Sequence, residues 1–419
     1  MAKHIHQKFT TEQVKDLMER YIQKKIERKY IQEILGIKRR RFFVIIKNYK
    51  NNPENFSIEY SRKSPKRISE KIEKNIIKEL KADKKIIKDK STVMRSYNYS
   101  YIKDRLENEY NQKVSLPTII ARAKKNDFYI VKKNKKKLHD REVLTDYAGE
   151  LIQHDASYHR WAPLADKKWS LVSSLDDFSR YLLFAKLIEN ESSWQHINAF
   201  QSVVLKYGTP YQYYVDCHAI FRYVKGRDQL HRNFTKFTDD IDPQWKQVLE
   251  ECGTKVTYAL SPQAKGKIER SYRWLQDRVV RTCDRENIKD IKDAQRILDR
   301  EVYRYNHKAI HSTTREIPYL RFQNALKIGR SLFREFVIPK PFLTLKDIFC
   351  LRTNRFVDNY KTVSLFNLKL KMNCDDNRIS VNIRIYPLNK NLAELRFWHQ
   401  DTLIDIRKVK ISDLKGVHF

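Results

Sequence analysis

The stretch YALSPQAKGKIERSYRWLQDRVV, residues 258–280, decides how this chain is read. A short apolar run gives way at Ser261-Pro262 to a long segment with a helical period. Ile268, Tyr272, Leu275 and Val279 recur at that spacing and predict a core-facing stripe. Glu269, Arg273 and Gln276 fall on the neighbouring face, so a carboxylate able to hold a metal lies beside donors able to hold phosphate. Lys265, Lys267 and Arg270 surround it. Lys265, Lys267, Arg270, Arg273 and Gln276 are therefore expected to contact DNA.

Upstream, LIQHDA, WSLVSSLDD and RYLLFAKL are three short runs rich in Val, Leu and aromatics at hairpin-like spacing. A long amphipathic stretch, ESSWQHINAFQSVVLKY, precedes a fourth strand, YQYYVD; a helix (QWKQVLEECG) and a fifth strand (KVTYAL) follow. Three antiparallel strands and then alternating helices and strands predict a mixed five-stranded sheet flanked by helices, an α/β core. Asp155 is expected at the end of the first strand and Asp216 at the end of the fourth. They stand 61 and 53 residues from the next acid of the series Asp155, Asp216, Glu269, so only the fold could bring them together. Clustered carboxylates repel unless a cation neutralises them. Hard Mg²⁺ takes such oxygens, and two ions can clamp the attacking and leaving oxygens of a displacement at phosphorus. Singly, a strand-end Asp is more often a turn former and a helical Glu more often solvated. Asp176 and Asp177 read as structural, with Asp177 orienting Arg180 in the hairpin, and His154 and His218 as packing or supporting groups, because neighbours on a strand face opposite ways.

The flanks differ in composition. Residues 1–140 carry 38 basic and 17 acidic side chains, and 141–419 carry 47 and 34, within a net charge of +34. Codon bias can explain many lysines, but not the missing acids, so a polyanionic partner is expected, double-stranded DNA first. TTEQVKDLMERYIQ, ERKYIQEILGI and KRRRFFVIIKNYK (38–50), with Gly36 placed to end a helix, have the layout of a helix-turn-helix; Arg39, Arg40 and Arg41 then sit where a recognition helix meets base edges. Solvated basic helices are the bland alternative. A second such layout is expected between 68 and 130, with Ser115 as an N-cap and Pro117 in the first turn. After 342, period-two alternation predicts about five short strands forming a small β-barrel. The domain plan is 1–60 and 61–130 helical DNA-binding regions, 131–147 a basic linker, 148–320 the core, 321–341 a helical linker and 342–419 the barrel.

Composition excludes other chemistries. The chain has 419 residues, 41% hydrophobic, which is enough for several packed domains. Its eight glycines are too far apart for a dinucleotide-binding turn or a phosphate loop, so no nucleotide cofactor is expected. Five scattered cysteines form no C-x-x-C pair and suit a reducing cytosol. No apolar run approaches the about 18 residues of a membrane span, and the start has no secretory signal. A cytoplasmic, nucleoid-associated protein of bacterial type is expected.

LIQHDAS, SSLDDFSRYLLFAKL, YVDCHAIFR and SPQAKGKIERSYRWLQDRVV together resemble the acid triad of DDE-type insertion-sequence transposases of the retroviral-integrase-like superfamily, most like the ISNCY type. YNHKAIHSTTREIPYLRF is similar to the Tyr-Asn…His-Ser…Thr-Pro element that closes the core in these enzymes, with Ile317-Pro318 in place of Thr-Pro. The resemblance implies an RNase H-like core and Asp155, Asp216 and Glu269 as catalytic metal ligands for two Mg²⁺ ions, which Mn²⁺ could replace. It also implies a homo-oligomer on DNA that nicks element ends and joins the 3′-OH to target. The insert 226–242 lengthens the interval between the last two acids, and no zinc module precedes the core. A DNA-binding regulator that lost activity and a nuclease of the same fold remain as alternatives.

Overall fold

A computed structural model describes residues 5–59, 68–90, 92, 94–131, 145–216, 220–221, 243–259, 266–366, 368–374, 378–414, 417 and 419. Cys217, His218, the insert 226–242, Lys265 and most of the basic linker lie outside the described residues, and of Lys267 only the backbone, in a helix, is described. The chain forms two compact units, Met1–Glu70 and Lys71–Phe419.

The first unit holds α1 (Thr11–Ile22), α2 (Arg28–Leu35) and α3 (Arg39–Asn51). Thr10 starts α1 with a capping box: its hydroxyl accepts the Gln13 N–H at 3.3 Å, and the Gln13 side chain accepts the Thr10 N–H at 2.9 Å. Gly36 ends α2 at φ 62°, a left-handed conformation that costs glycine least. Val14, Met18, Ile31, Leu35, Phe42, Ile45, Ile46 and Tyr49 close the core between the helices. Burying this set leaves Arg40, Val44 and Lys47 on the exposed face of α3, with Arg39 and Arg41, also exposed, at its edges.

In the second unit, α4 (Glu70–Lys88), α5 (Tyr99–Tyr110) and α6 (Leu116–Lys125) match the second helical layout, and Ser115 caps α6 by accepting the Thr118 N–H. These helices do not stand apart as a domain of their own. They are fastened to α9 (Gly266–Arg285), the helix that carries Glu269, by buried ion pairs. Arg281 meets Asp83 at 2.6 Å, Arg285 meets Asp83 at 2.5 Å and Glu79 at 3.0 Å, and Arg278 meets Asp104 at 2.7 Å. Tyr101 shares a hydrogen bond with Thr282 at 2.8 Å, and Val280 packs with Ile86 and Met94. A charge count cannot tell these arginines and acids from solvated ones; pairing takes them into the interior.

The central sheet has the order β3-β2-β1-β4-β5, with β1 (Ile152–His159), β2 (Trp169–Asp176), β3 (Leu182–Ile188), β4 (Gln212–Val215) and β5 (Lys255–Tyr258). β1, β2 and β3 pair antiparallel, while β1, β4 and β5 pair parallel. This mixed five-stranded sheet fits the expected RNase H-like core. α7 (Ser193–Tyr207) and α8 (Gln244–Glu251) cover one face, where Ile152, Phe200, Tyr213 and Trp245 pack. α9 and α10 (Ile291–His307) cover the other, where Leu171, Leu175, Ile268, Tyr272, Leu275, Val279 and Leu298 pack. The predicted stripe of α9 is thus buried throughout.

α10 closes the free edge of the sheet. The Asn306 side chain accepts the Leu182 N–H at 2.9 Å and donates to the Leu182 carbonyl at 3.0 Å, satisfying both groups of the edge strand. Downstream, His311 Nδ1 accepts the Thr313 and Thr314 N–H groups. Burial, with Arg180, Arg270 and Arg321 nearby, lowers the imidazole from 6.5 to about 4. Between these values the folded chain binds fewer protons here than the unfolded chain, so stability present above pH 6.5 is lost as pH falls toward about 4. Thermal midpoints across that window should fall with acidification, and His311→Gln should flatten the decline. A variant with the same slope would take His311 out of the acid response.

α11 (Pro318–Lys327) begins at the Pro of the closing element. The linker is helical only to Lys327. It then runs extended across the core, bridging at Ala148–Ser331 and Thr209–Arg334, and Phe333 and Arg334 lie directly over Gly149 and Gly208, where a Cβ would stand 2.5 Å from each. Beyond the short helix α12 (Leu345–Ile348) come β6 (Leu351–Phe356), β7 (Thr362–Leu365), β8 (Leu368–Lys371), β9 (Ser380–Pro387), β10 (Leu392–His399) and β11 (Thr402–Lys410). They form a four-stranded antiparallel sheet, β11-β10-β9-β6, and a β7-β8 hairpin; as paired among the described residues the sheet is open, not a closed barrel. The hairpin pairs with itself and meets the sheet at the Val357–Val363 bridge and through Arg407 of β11, which donates to the Lys371 carbonyl at 3.3 Å. Glu251 of α8 holds Arg352 at 3.0 Å and Arg384 at 2.7 Å, tying this sheet to the core.

Candidate functional site

Asp155 lies in the middle of β1, not at its end. The shift does not separate it from Asp216, because register decides. β1 and β4 run parallel with Ile152 opposite Tyr213 and Gln153 opposite Tyr214. Continuing that register sets Asp155 level with Asp216, one residue past β4, on strands about 4.8 Å apart. Alternation gives Gln153, Asp155 and Ser157 one face of β1, and Ile152, His154 and Ala156 the other.

α9 crosses the first of these faces. Gln153 Oε1 accepts the Ile268 N–H at 3.0 Å, Gln276 Nε2 donates to Ser157 Oγ at 3.3 Å, and Ser173, paired with Asp155 on β2, donates to the Tyr272 hydroxyl at 3.0 Å. Tyr272 therefore lies beside the acid-bearing strand. Burial raises its hydroxyl well above 10, and the charges of Asp155, Glu191 and Asp216 push it further the same way. Glu269, itself exposed, lies in the first turn of the same helix.

The register thus directs Asp155 and Asp216 toward one part of the sheet, and Glu269 lies on the helix that crosses the Asp155 face of β1. Among the described residues no three His, Cys, Asp or Glu side chains lie close enough to cage a metal ion. As oxygen donors, the three carboxylates suit a hard divalent cation.

The expected DNA contacts divide. Arg270 and Arg273 are exposed; Arg270 donates to Thr313 Oγ1 at 3.3 Å and Arg273 to the Glu269 carbonyl at 3.5 Å. Gln276 is half-buried, and its amide is held by Ser157. Asp176 and Asp177 are buried and structural, as expected. Asp176 accepts from Gly149 N, Ser179 N and Ser179 Oγ, and burial raises its carboxyl to about 6. Asp177 pairs with Arg180 at 3.1 Å. His154 packs on the far face, stacked on Trp245 and bonded to Ser174 and His196. Sequence reading missed Gln153, Ser157, Ser173 and the Tyr272 hydroxyl; period-two alternation from Asp155 could have nominated Gln153 and Ser157.

The chain is similar to two transposases. It is 28% identical over 236 residues to y4bF of Sinorhizobium fredii, a protein whose name assigns it provisionally to the transposases, covering 56% of this chain and 47% of that one. It is 28% identical over 173 residues to the transposase for insertion sequence IS1202 of Streptococcus pneumoniae, covering 41% and 36%. The chain therefore spans less than half the length of these curated relatives. No family model matches it. Among solved structures it is similar to the HTLV-2 integrase catalytic core domain in complex with magnesium, at 13% identity and TM-score 0.31 over 42% of this chain and 97% of that one. It is also similar to a chain of the simian T-cell lymphotropic virus intasome in complex with PP2A regulatory subunit B56 gamma, at 11% identity and TM-score 0.34 over 73% and 97%. No described helix is long and apolar enough to cross a membrane.

Proposed function

We propose that this chain is a DNA transposase that binds the ends of its mobile element, nicks them by metal-dependent hydrolysis and joins the freed 3′-OH to target DNA as a homo-oligomer. The observation that carries the reading is the shared register of Asp155 and Asp216 beneath α9, the helix of Glu269. The similarity to insertion-sequence transposases supports it. Asp155, Asp216 and Glu269 would hold two Mg²⁺ ions, for which Mn²⁺ could substitute. When bound, such ions stabilise charge on the attacking and leaving oxygens at phosphorus. The test is a labelled duplex carrying an element end, incubated with protein and Mg²⁺ with and without EDTA. Nicking that stops in EDTA supports the reading, and full nicking in EDTA removes the metal from it.

End recognition is proposed for the first unit, on the exposed face of α3. Arg39, Arg40 and Arg41 are the DNA contacts there, and Arg40 is centred on that face with Val44 and Lys47. Arg pairs bidentately with guanine, worth about 1–3 kcal/mol of discrimination. Arg40→Ala should therefore change the preferred sequence, whereas Arg39→Ala and Arg41→Ala should weaken all sequences alike and each reduce the salt slope by about 0.9. Competition binding against a randomised duplex pool reads both effects. Unaltered preference in Arg40→Ala would assign Arg40 to phosphate.

A further inference from the structure

Gln153 is fully buried two residues before Asp155, on the same face of β1. Both ends of its amide are engaged. Nε2 donates to Asp177 Oδ1 at 2.6 Å, and Oε1 accepts the Ile268 N–H at 3.0 Å. Ile268 is the residue before Glu269 and sits in the first turn of α9, where amides have no partner within the helix. The bond therefore does more than satisfy a buried side chain. It fixes the start of α9 to the strand that carries Asp155, while Asp177, itself held by Thr145 and Arg180, anchors the other end.

We propose that Gln153 is the positioning residue that sets Glu269 against Asp155 and Asp216. This rests on the reading of those three residues as the acids of the site. The amide measures the distance between β1 and the first turn of α9; without it, Tyr272, Leu275 and Val279 keep the rest of α9 packed, while the turn bearing Glu269 keeps the buried Ile268 side chain but loses its backbone hydrogen bond to β1 and loosens. A displacement of about 1 Å at such a group is enough to cost about a hundredfold in rate.

The test compares full-length wild type with Gln153→Met, which keeps length and loses both hydrogen bonds. Hydrogen exchange should show protection lost at 266–270 and kept at 275–283. With saturating end DNA, single-turnover nicking should fall about 10- to 100-fold, half-saturating Mg²⁺ should rise, and affinity for the end should stay the same. The double exchange Gln153→Glu with Asp177→Asn swaps donor and acceptor, and should restore both protection and most of the rate. Gln153→Glu alone opposes two carboxylates and should not. Protection unchanged in Gln153→Met, protection lost evenly across the sheet, or wild-type nicking with the first turn released would each overturn the proposal. If wild type itself fails to nick, the reading of the acids falls, and the exchange data still decide whether Gln153 holds α9.

Discussion

Asp155→Asn, Asp216→Asn and Glu269→Gln should each abolish nicking and joining while leaving end binding nearly intact. Each substitution keeps shape and removes a charge that would hold Mg²⁺, so the loss falls on transition-state stabilisation. A drop of at least about a thousandfold is expected, equivalent to about 4 kcal/mol. Asp155 and Asp216 should be the more severe pair, since the β1–β4 register, continued two residues, sets them level. Mn²⁺ should replace Mg²⁺, because both accept octahedral oxygen ligation, whereas Ca²⁺ should allow assembly with poor turnover. Asp177→Asn makes the contrast: losing the Arg180 ion pair should lower the thermal midpoint while nicking stays far above that of the three acid variants. A Glu269→Gln protein joining ends at the normal rate would remove Glu269 from the site.

Asp83→Ala should be among the most destabilising single changes in the chain. Asp83 is fully buried and receives Arg281 at 2.6 Å and Arg285 at 2.5 Å. Removing it leaves Arg281 to Asp277 and Arg285 to Glu79, and breaking buried pairs in this way costs about 3–5 kcal/mol. Because both arginines lie on α9, the damage should reach the site as well as α4. Chemical denaturation with wild type as reference reads the cost, and a change below about 1 kcal/mol, the range of exposed pairs, would show the network to be solvated. The same network bears on truncation: removing residues 1–140 would strip Asp83, Glu79 and Asp104 from α9, so the first unit alone is the piece to delete when testing end recognition.

The period of α9, the hairpin spacing of β1 to β3 and the cap at Ser115 were legible because each is a local rule: a stripe every three to four residues, or a hydroxyl before a helix. How the two aspartates relate needed the fold. Asp155 was expected at a strand end, yet it sits mid-strand, and the offset of 61 residues matters because β1 and β4 pair in that register. What escaped was long-range pairing of polar groups. Nothing local distinguishes Arg281 from an arginine that touches phosphate; only a partner 198 residues away, at Asp83, makes it interior. Gln153 escaped for the same reason, since its meaning depends on Asp177 and Ile268. The expected barrel followed from strand count, which does not say whether the edges meet.

The most direct measurement incubates the purified protein, Mg²⁺ and the element's own ends with a supercoiled plasmid, and sequences the products. The reading predicts junctions in which the 3′ end of the element is joined to plasmid DNA, present with wild type and absent with Asp155→Asn. Nicked ends without a single junction would make the chain a nuclease of this fold, and bound but uncut ends would make it a DNA-binding protein without the chemistry.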